Sequence, residues 1–261
     1  VHRQGLTDTL LVELDGNAGG NAAAGHNPVS AYPWGAHYLP VPDVRNRELL
    51  DFLKETGTLT DYTPGEMPIY SDYHLCAAPD ERLSINGHWQ DGLVPAVGLS
   101  ANEQAQTARF FRLVERLKTA VGHNAFRITL DASSADGAFR QLDRISFADY
   151  LMQEGYSATP LRWYLNYTYR DDYEASAAQV SAWAELHYFA CRKGRAHNAT
   201  GGDVLTWPEG NHFLAEHLRR QASTPLQTNT LAYGPARDPG RPLSWDNVRY
   251  GSATLGYINA N

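Results

Sequence analysis

The pattern of apolar and polar positions divides the chain into strand-like ends and a helix-rich middle. Thr9 to Leu14 is a nearly unbroken apolar run carrying an acid at Glu13, as expected of a short strand buried on both faces in a parallel sheet. Val1 to Gly5 before it reads as the tail of a helix closed by a C′ glycine. Gly16 to Asn21 has no helical period, and Gly25 to Pro42 is a loop dense in Gly, Pro and aromatics. Helical spacing appears at Val44–Thr56 through Leu49, Phe52 and Leu53. Short strands follow at Ile69–Leu75 and Leu83–Trp89, the second a hairpin turning at Asn86-Gly87.

A capping box of Ser100 and Glu103 opens the most regular helix. Its apolar stripe is Phe110, Leu113, Val114, Leu117 and Val121, and Gly122 ends it. Further helices are predicted from Ser146, over Leu161–Tyr169 and over Ser176–Cys191. Thr206 and Glu209 form another capping box, with Pro208 in the first turn of a helix through Phe213, Leu214 and Leu218. Strand candidates at Thr228–Tyr233 and Tyr250–Ile258 complete the chain.

This order predicts an α/β piece assembled from both ends, residues 1–42 and 204–261, around a helix-rich α+β insertion over 43–203. With 43% hydrophobic and 20% charged residues in 261, the chain has enough apolar material for a real core. A net charge of −7 argues against a general nucleic-acid binder, and there is no apolar run long enough to predict a membrane-spanning segment. Cys76 and Cys191 have no metal or redox spacing and read as two buried thiols. The start at Val1, without a targeting pattern, suggests a lost N-terminus; a cytoplasmic location is expected, with a periplasmic one as the alternative.

Four groups of residues could carry chemistry. Glu13 at a strand end can hydrogen-bond ribose hydroxyls, and Gly19-Gly20 let backbone pass close to a cofactor; ordinary strand-exit chemistry produces the same pattern. Pro208, Gly210 and Asn211 open a helix whose amides could meet a polar ligand, or are simply a well-capped start. The aromatic and acidic set around Tyr167, Asp172, Tyr173 and Trp183 could wall a substrate site, with His187 as a base; a core histidine is the plainer reading. His37 lies in a loop with Trp34 and Gly35 that follows the acid. No metal site is expected: His212 and His217 sit five apart, diverging by roughly 140° on a helix.

The run Leu11 to Asn21 resembles the strand, ribose acid and double-glycine motif of flavin amine oxidases and their phytoene-desaturase-like relatives. Those proteins usually carry Arg where this chain has Asn21. Tyr32–Pro40, Asp171-Asp172-Tyr173, Ser181-Ala182-Trp183, His187-Tyr188-Phe189 and Leu205–Asn211 are similar to a bacterial branch of FAD-dependent oxidoreductases. The resemblance implies a partial Rossmann-like FAD-binding domain with a substrate or cap insertion, and FAD as cofactor. It implies that Glu13 holds the adenosine ribose. Gly19, Gly20, Asn21, Trp34, Gly35, Pro208, Gly210 and Asn211 would line the cofactor, and hydride would pass from an amine-like or other small organic substrate to the flavin. The G-x-G-x-x-G turn of that superfamily does not precede Glu13, so the chain is expected to be truncated at both ends. Two other functions remain: a non-catalytic remnant without cofactor, and a carbohydrate-binding or hydrolase domain resting on the acids among Trp and Tyr. Whether Glu13 borders the C-terminal edge of a parallel sheet or an unrelated loop separates the oxidoreductase from the hydrolase reading, and a remnant would keep the fold without binding cofactor at Glu13. Oligomeric state is not readable.

Overall fold

The computed structural model describes residues 5, 9–76, 81–222, 224–235 and 248–252. In chain order the elements are β1 (Leu11–Val12), β2 (Ala24–His26), β3 (Ala31–Pro33), β4 (Tyr38–Pro40), α1 (Arg47–Glu55), β5 (Leu59–Asp61), β6 (Ile69–Tyr70), β7 (Leu75–Cys76), β8 (Arg82–Ile85) and β9 (His88–Asp91). Then come α2 (Ala101–His123), α3 (Gly137–Arg140), α4 (Phe147–Gln153), α5 (Thr159–Tyr173), α6 (Ala182–Ala190), β10 (Val204–Thr206), α7 (His212–Gln221), β11 (Leu226–Gln227), β12 (Thr230–Pro235) and β13 (Val248–Ser252). The expected helix before Gly5 lies outside the described residues, as does the strand expected beyond Ser252.

These elements gather into two compact units. One takes its described residues from 1–39, 52–58 and 205–261, the other from 40–51 and 59–204. In the first, β1 and β11 pair in parallel, Leu11 opposite Leu226 and Val12 opposite Gln227. The ladder continues past the strand, for the Glu13 N–H donates to the Gln227 carbonyl at 2.9 Å and the Glu13 carbonyl accepts from Thr230 at 2.8 Å. The parallel pairing expected at Thr9–Leu14 is present over two residues, with Glu13 just beyond them. The strand is not buried on both faces: among the described residues it pairs with β11 alone, and Leu11 and Leu14 are 43% and 36% exposed. β2 and β3 form an antiparallel hairpin, and β12 pairs with β13 antiparallel.

The second unit is built on helices whose apolar faces meet. Phe110 and Val114 of α2, Phe147 and Leu151 of α4, Leu161 and Leu165 of α5, and Leu186 of α6 are all buried in one cluster. Phe110 is its pivot, edge-on to Phe111, Tyr156 and Phe189 at centroid separations of 5.3–5.9 Å. The Ser100–Glu103 capping box forms as predicted, each side chain meeting the other residue's backbone N–H. Ser146 caps α4 by accepting from the Asp149 N–H at 3.1 Å. The start of α5 has Ala158 at its N-cap, which offers no side-chain acceptor. Gln106 of α2 takes that role, its Oε1 accepting from Ser157 at 2.7 Å and Ala158 at 2.9 Å.

The Asn86-Gly87 hairpin is observed between β8 and β9, with both residues at positive φ, 51° and 77°. Three expectations are corrected. The helix predicted over Ser176–Cys191 begins only at Ala182, because Ser181 accepts from the Ala184 N–H and residues 176–180 form a separate turn. The predicted stripe of α2 loses Val121, which is 48% exposed, because Ala120 to Gly122 leave helical geometry. Cys76 and Cys191 are half-buried rather than buried, and neither forms a disulfide.

Candidate functional site

Three segments separated in sequence meet in the unit that holds β1. The first is the glycine turn after Glu13, a short 3-10 turn over Gly20–Ala22 entered through Gly19 at φ 129° and Gly20 at φ 50°. The second is the Pro33–Tyr38 loop, and the third the turn between β10 and α7. Their junction is Ala36. Its N–H donates to the Asn21 carbonyl at 2.7 Å, and its carbonyl accepts from the Asn211 N–H at 3.0 Å.

Two glycines permit this approach. A Cβ at Gly210, where φ is +61°, would lie 2.7 Å from the Pro33 Cβ, 2.8 Å from the Ala36 carbonyl oxygen and 3.0 Å from the His37 Cα. A Cβ at Gly35 would collide with Asn21. Asn211 adds a third tie, its Nδ2 donating to the Tyr38 carbonyl at 3.0 Å. Its Oδ1 is buried and has no protein partner among the described residues.

In the same unit Glu13 is partly buried, and its Oε1 accepts from the Asp15 N–H at 2.9 Å, which fixes the carboxylate at the strand end. Gly19 packs toward α7, with His212 Nδ1 and the Ala215 Cβ 3.7 and 3.8 Å from where its Cβ would stand. Gly20 has nothing within 4 Å on the corresponding side, so the turn is open there. Trp34 is 71% exposed and edge-on to Tyr32 at 5.3 Å. His37 is exposed, its Nδ1 3.1 Å from the Gly35 carbonyl and its ring edge-on to Tyr38.

The capping box expected at Thr206–Glu209 does not form. Thr206 ends β10 and its hydroxyl donates to the His37 carbonyl at 2.9 Å; Pro208 to Asn211 are a turn, and α7 starts at His212 with Asn211 at its N-cap. Pro208 is therefore outside the first helical turn, and the Asn211 amide is committed to Ala36.

The residues singled out in the second unit do not form one cluster. Tyr167 stacks on Trp163 at 6.4 Å on the exposed side of α5. Asp172 lies in α5 with its side chain outside the described residues. The Tyr173 hydroxyl donates to the Ala184 carbonyl at 3.3 Å. Trp183 stacks on His187 at 4.8 Å, and His187 Nε2 lies 2.6 Å from the Arg127 carbonyl. Burial holds the His187 pKa below the ordinary imidazole value, more than that hydrogen bond raises it. His187 is thus tied to backbone on one side and to indole on the other.

Sequence reasoning misses Ala36, whose contribution is entirely backbone and leaves no signal in residue type. It finds in His212 only an unsuitable metal ligand. His212 Nδ1 is buried without a protein partner among the described residues, adjacent to the glycine turn. Among those residues no three His, Cys, Asp or Glu side chains are placed to hold a metal ion, and no helix is long and apolar enough to cross a membrane.

No family model matches the chain, and no curated protein does. Solved structures do. Putrescine oxidase bound to putrescine superposes with a TM-score of 0.55 at 14% identity, over 90% of this chain and 49% of that one. The chain shares its fold with the amine oxidases. A redesigned triple mutant of putrescine oxidase gives 0.56 at 15% identity with the same coverage. A fatty acid isomerase from P. acnes that produces CLA gives 0.54 at 18% identity, over 88% of this chain and 48% of that one. The chain spans about half the length of the solved structures it matches.

Proposed function

We propose that this chain is part of an FAD-dependent oxidoreductase of the amine-oxidase type and carries one side of the cofactor site. The observation that carries the reading is Glu13 at the C-terminal end of a parallel strand, in the same compact unit as the convergence of three segments on Ala36. That position is where open α/β sheets bind nucleotides. It also disfavours a hydrolase reading, in which Glu13 would sit in an unrelated loop.

The residues fit FAD. Glu13 offers a partly buried carboxylate, already oriented by Asp15, for the ribose hydroxyls. Gly20 leaves one side of the turn open for close approach. Asn211 presents a buried acceptor that lacks a protein donor among the described residues. Bound FAD would supply the electron-pair acceptor for hydride leaving an amine-like or other small organic substrate. Asn21, Trp34, Gly35, Pro208 and Gly210 would shape the remaining wall. Exposed Trp34 contributes apolar surface that excludes water. His37, on the same loop and with its ring oriented by the Gly35 carbonyl, would hold or pass a proton. Tyr167, Asp172, Tyr173, Trp183 and His187 stand as substrate-side candidates in the helical unit.

The test is equilibrium titration of the purified chain with FAD, followed by flavin absorbance and fluorescence. Saturable binding that Glu13→Ala weakens by about tenfold or more, and Glu13→Gln by less, is the expected result. A folded chain that leaves FAD unbound, or one whose affinity is indifferent to Glu13, overturns the assignment.

A further inference from the structure

Among the described residues of this acidic protein there is one strongly basic cavity, and none of its lining residues is assigned above. It has a volume of about 420 Å³ and lies in the helical unit, where the loop after α6 passes the end of α2. Five Lys or Arg side chains line it against two acids, with His123 as a further ionisable group. The acids are already engaged: Asp43 grips Arg45 at 2.5 Å, and Glu115 pairs with Lys118 at 2.8 Å. Positive charge therefore dominates locally in a chain of net charge −7.

The cations are held in place by backbone. Val121, Gly122 and His123 all adopt left-handed geometry, with φ of 50°, 58° and 69°, which turns the His123 carbonyl toward the cavity side. Arg45 donates to that carbonyl at 3.0 Å, and Lys193 does so at 3.0 Å while also donating to the Ala125 carbonyl. A left-handed β-branched residue such as Val121 is strained, and strain of this kind persists where surrounding contacts over-determine it. The loop bearing Arg192, Lys193 and Arg195 is pinned at Gly194, where any Cβ would run into the Val41 backbone. The Arg192 guanidinium rests over the Tyr188 ring at 5.3 Å. Burial first, then repulsion from Arg45, pushes the Lys193 pKa down to about 8. A like-charged cluster gains from a bound anion, which offsets the repulsion between Arg45 and Lys193.

We propose that this cavity binds the phosphate group of a phosphorylated small molecule, with Lys193 and Arg195 as the principal ligating cations. Several convergent cations suit a dianion better than a single carboxylate. The volume exceeds that of a lone oxyanion and leaves room for an organic body along Val44, Met67 and Thr119. The proposal is independent of the flavin reading, because none of its residues belongs to the cofactor side.

Isothermal titration of the chain at low salt with ribose 5-phosphate, inorganic phosphate and ribose tests it. Ribose 5-phosphate is expected to bind and ribose not to. The Arg195→Glu variant, at an exposed position, should weaken the ester by about tenfold or more while leaving the melting temperature in place. An ester that binds more tightly than inorganic phosphate supports a phosphorylated metabolite as the source. Equal binding supports the anion site and assigns it to free phosphate. Lys193→Met serves as a second variant, scored only if its melt shows that the α2 end is intact. The absence of binding at millimolar ligand, or binding unchanged in Arg195→Glu, overturns the proposal.

Discussion

Gly210→Ala isolates the contribution of the three-segment junction to the fold. Two costs arise at this position. Left-handed backbone at φ +61° costs alanine about 1 kcal/mol relative to glycine. The new methyl would stand 2.7–3.0 Å from Pro33, the Ala36 carbonyl and His37, two of those three contacts being backbone atoms that cannot rotate away. Overpacking of this kind costs about 1–3 kcal/mol more. Gly57→Ala provides the comparison, since Gly57 has φ +73° in the same unit and nothing within 4 Å of where its methyl would stand. It should lose only the backbone part, about 1 kcal/mol. Urea unfolding of both variants gives the difference directly, and Gly57→Ala should be the more stable by about 1–3 kcal/mol. FAD affinity in the Gly210 variant should fall as well, because Ala36 and Asn211 lose their register. If the two variants unfold at the same urea concentration, the close approach at Gly210 does not exist and the junction is misassigned.

Other consequences are open to measurement. Phe110→Ala should destabilise the helical unit by about 3–5 kcal/mol in urea unfolding, because a fully buried ring with three aromatic neighbours leaves a cavity. Gln106→Leu should cost about 1–3 kcal/mol by stranding the Ser157 and Ala158 amides, and those two amides should exchange faster with solvent. Burial lowers the His187 pKa below 6.5, so below that pH the unfolded chain binds more protons than the folded one. Stability should accordingly fall as pH drops through 6.5 toward the folded value, and His187→Gln should flatten that dependence; a variant with an unchanged pH slope would remove His187 as its source.

Local rules make much of the scaffold legible. Ser100 with Glu103 and Ser146 with Asp149 act within four residues, and Asn86-Gly87 needs only the turn itself, so each pattern survives whatever the rest of the chain does. Local rules fail where a distant group outcompetes a near one. Thr206 has the spacing of a capping residue, but the His37 carbonyl lies within reach of its hydroxyl and takes the bond instead. Ala158 looks uncapped until Gln106 is brought to it from α2. The helix over 176–191 is shorter than its apolar period suggests, because that period crosses Ser181 without interruption while Ser181 satisfies the Ala184 amide and so starts the helix there. Glu13, Gly19 and Gly210 are identifiable as residue types. The meeting of Asn21, Gly210 and Asn211 at Ala36 is not, because a backbone contact writes nothing into composition.

The two sets of candidates differ for a physical reason that bears on where chemistry is to be sought. Gly35, Gly210 and the Ala36 and Asn211 amides are used in holding the junction together, but they leave the open side of Gly20 and the buried Asn211 Oδ1 without a protein partner among the described residues. Aromatic and imidazole side chains can satisfy themselves. Trp183 and His187 stack on each other, and His187 commits one nitrogen to the Arg127 carbonyl. A base that must accept a proton from substrate needs a ring nitrogen facing it. His37 is exposed and anchored through Nδ1, so under the proposed function it is the stronger candidate of the two histidines for that role. His37→Gln should therefore alter the pH profile of turnover in the complete enzyme, whereas His187→Gln should alter chiefly stability. The reverse pattern would move the catalytic base into the helical unit and leave His37 as a loop anchor.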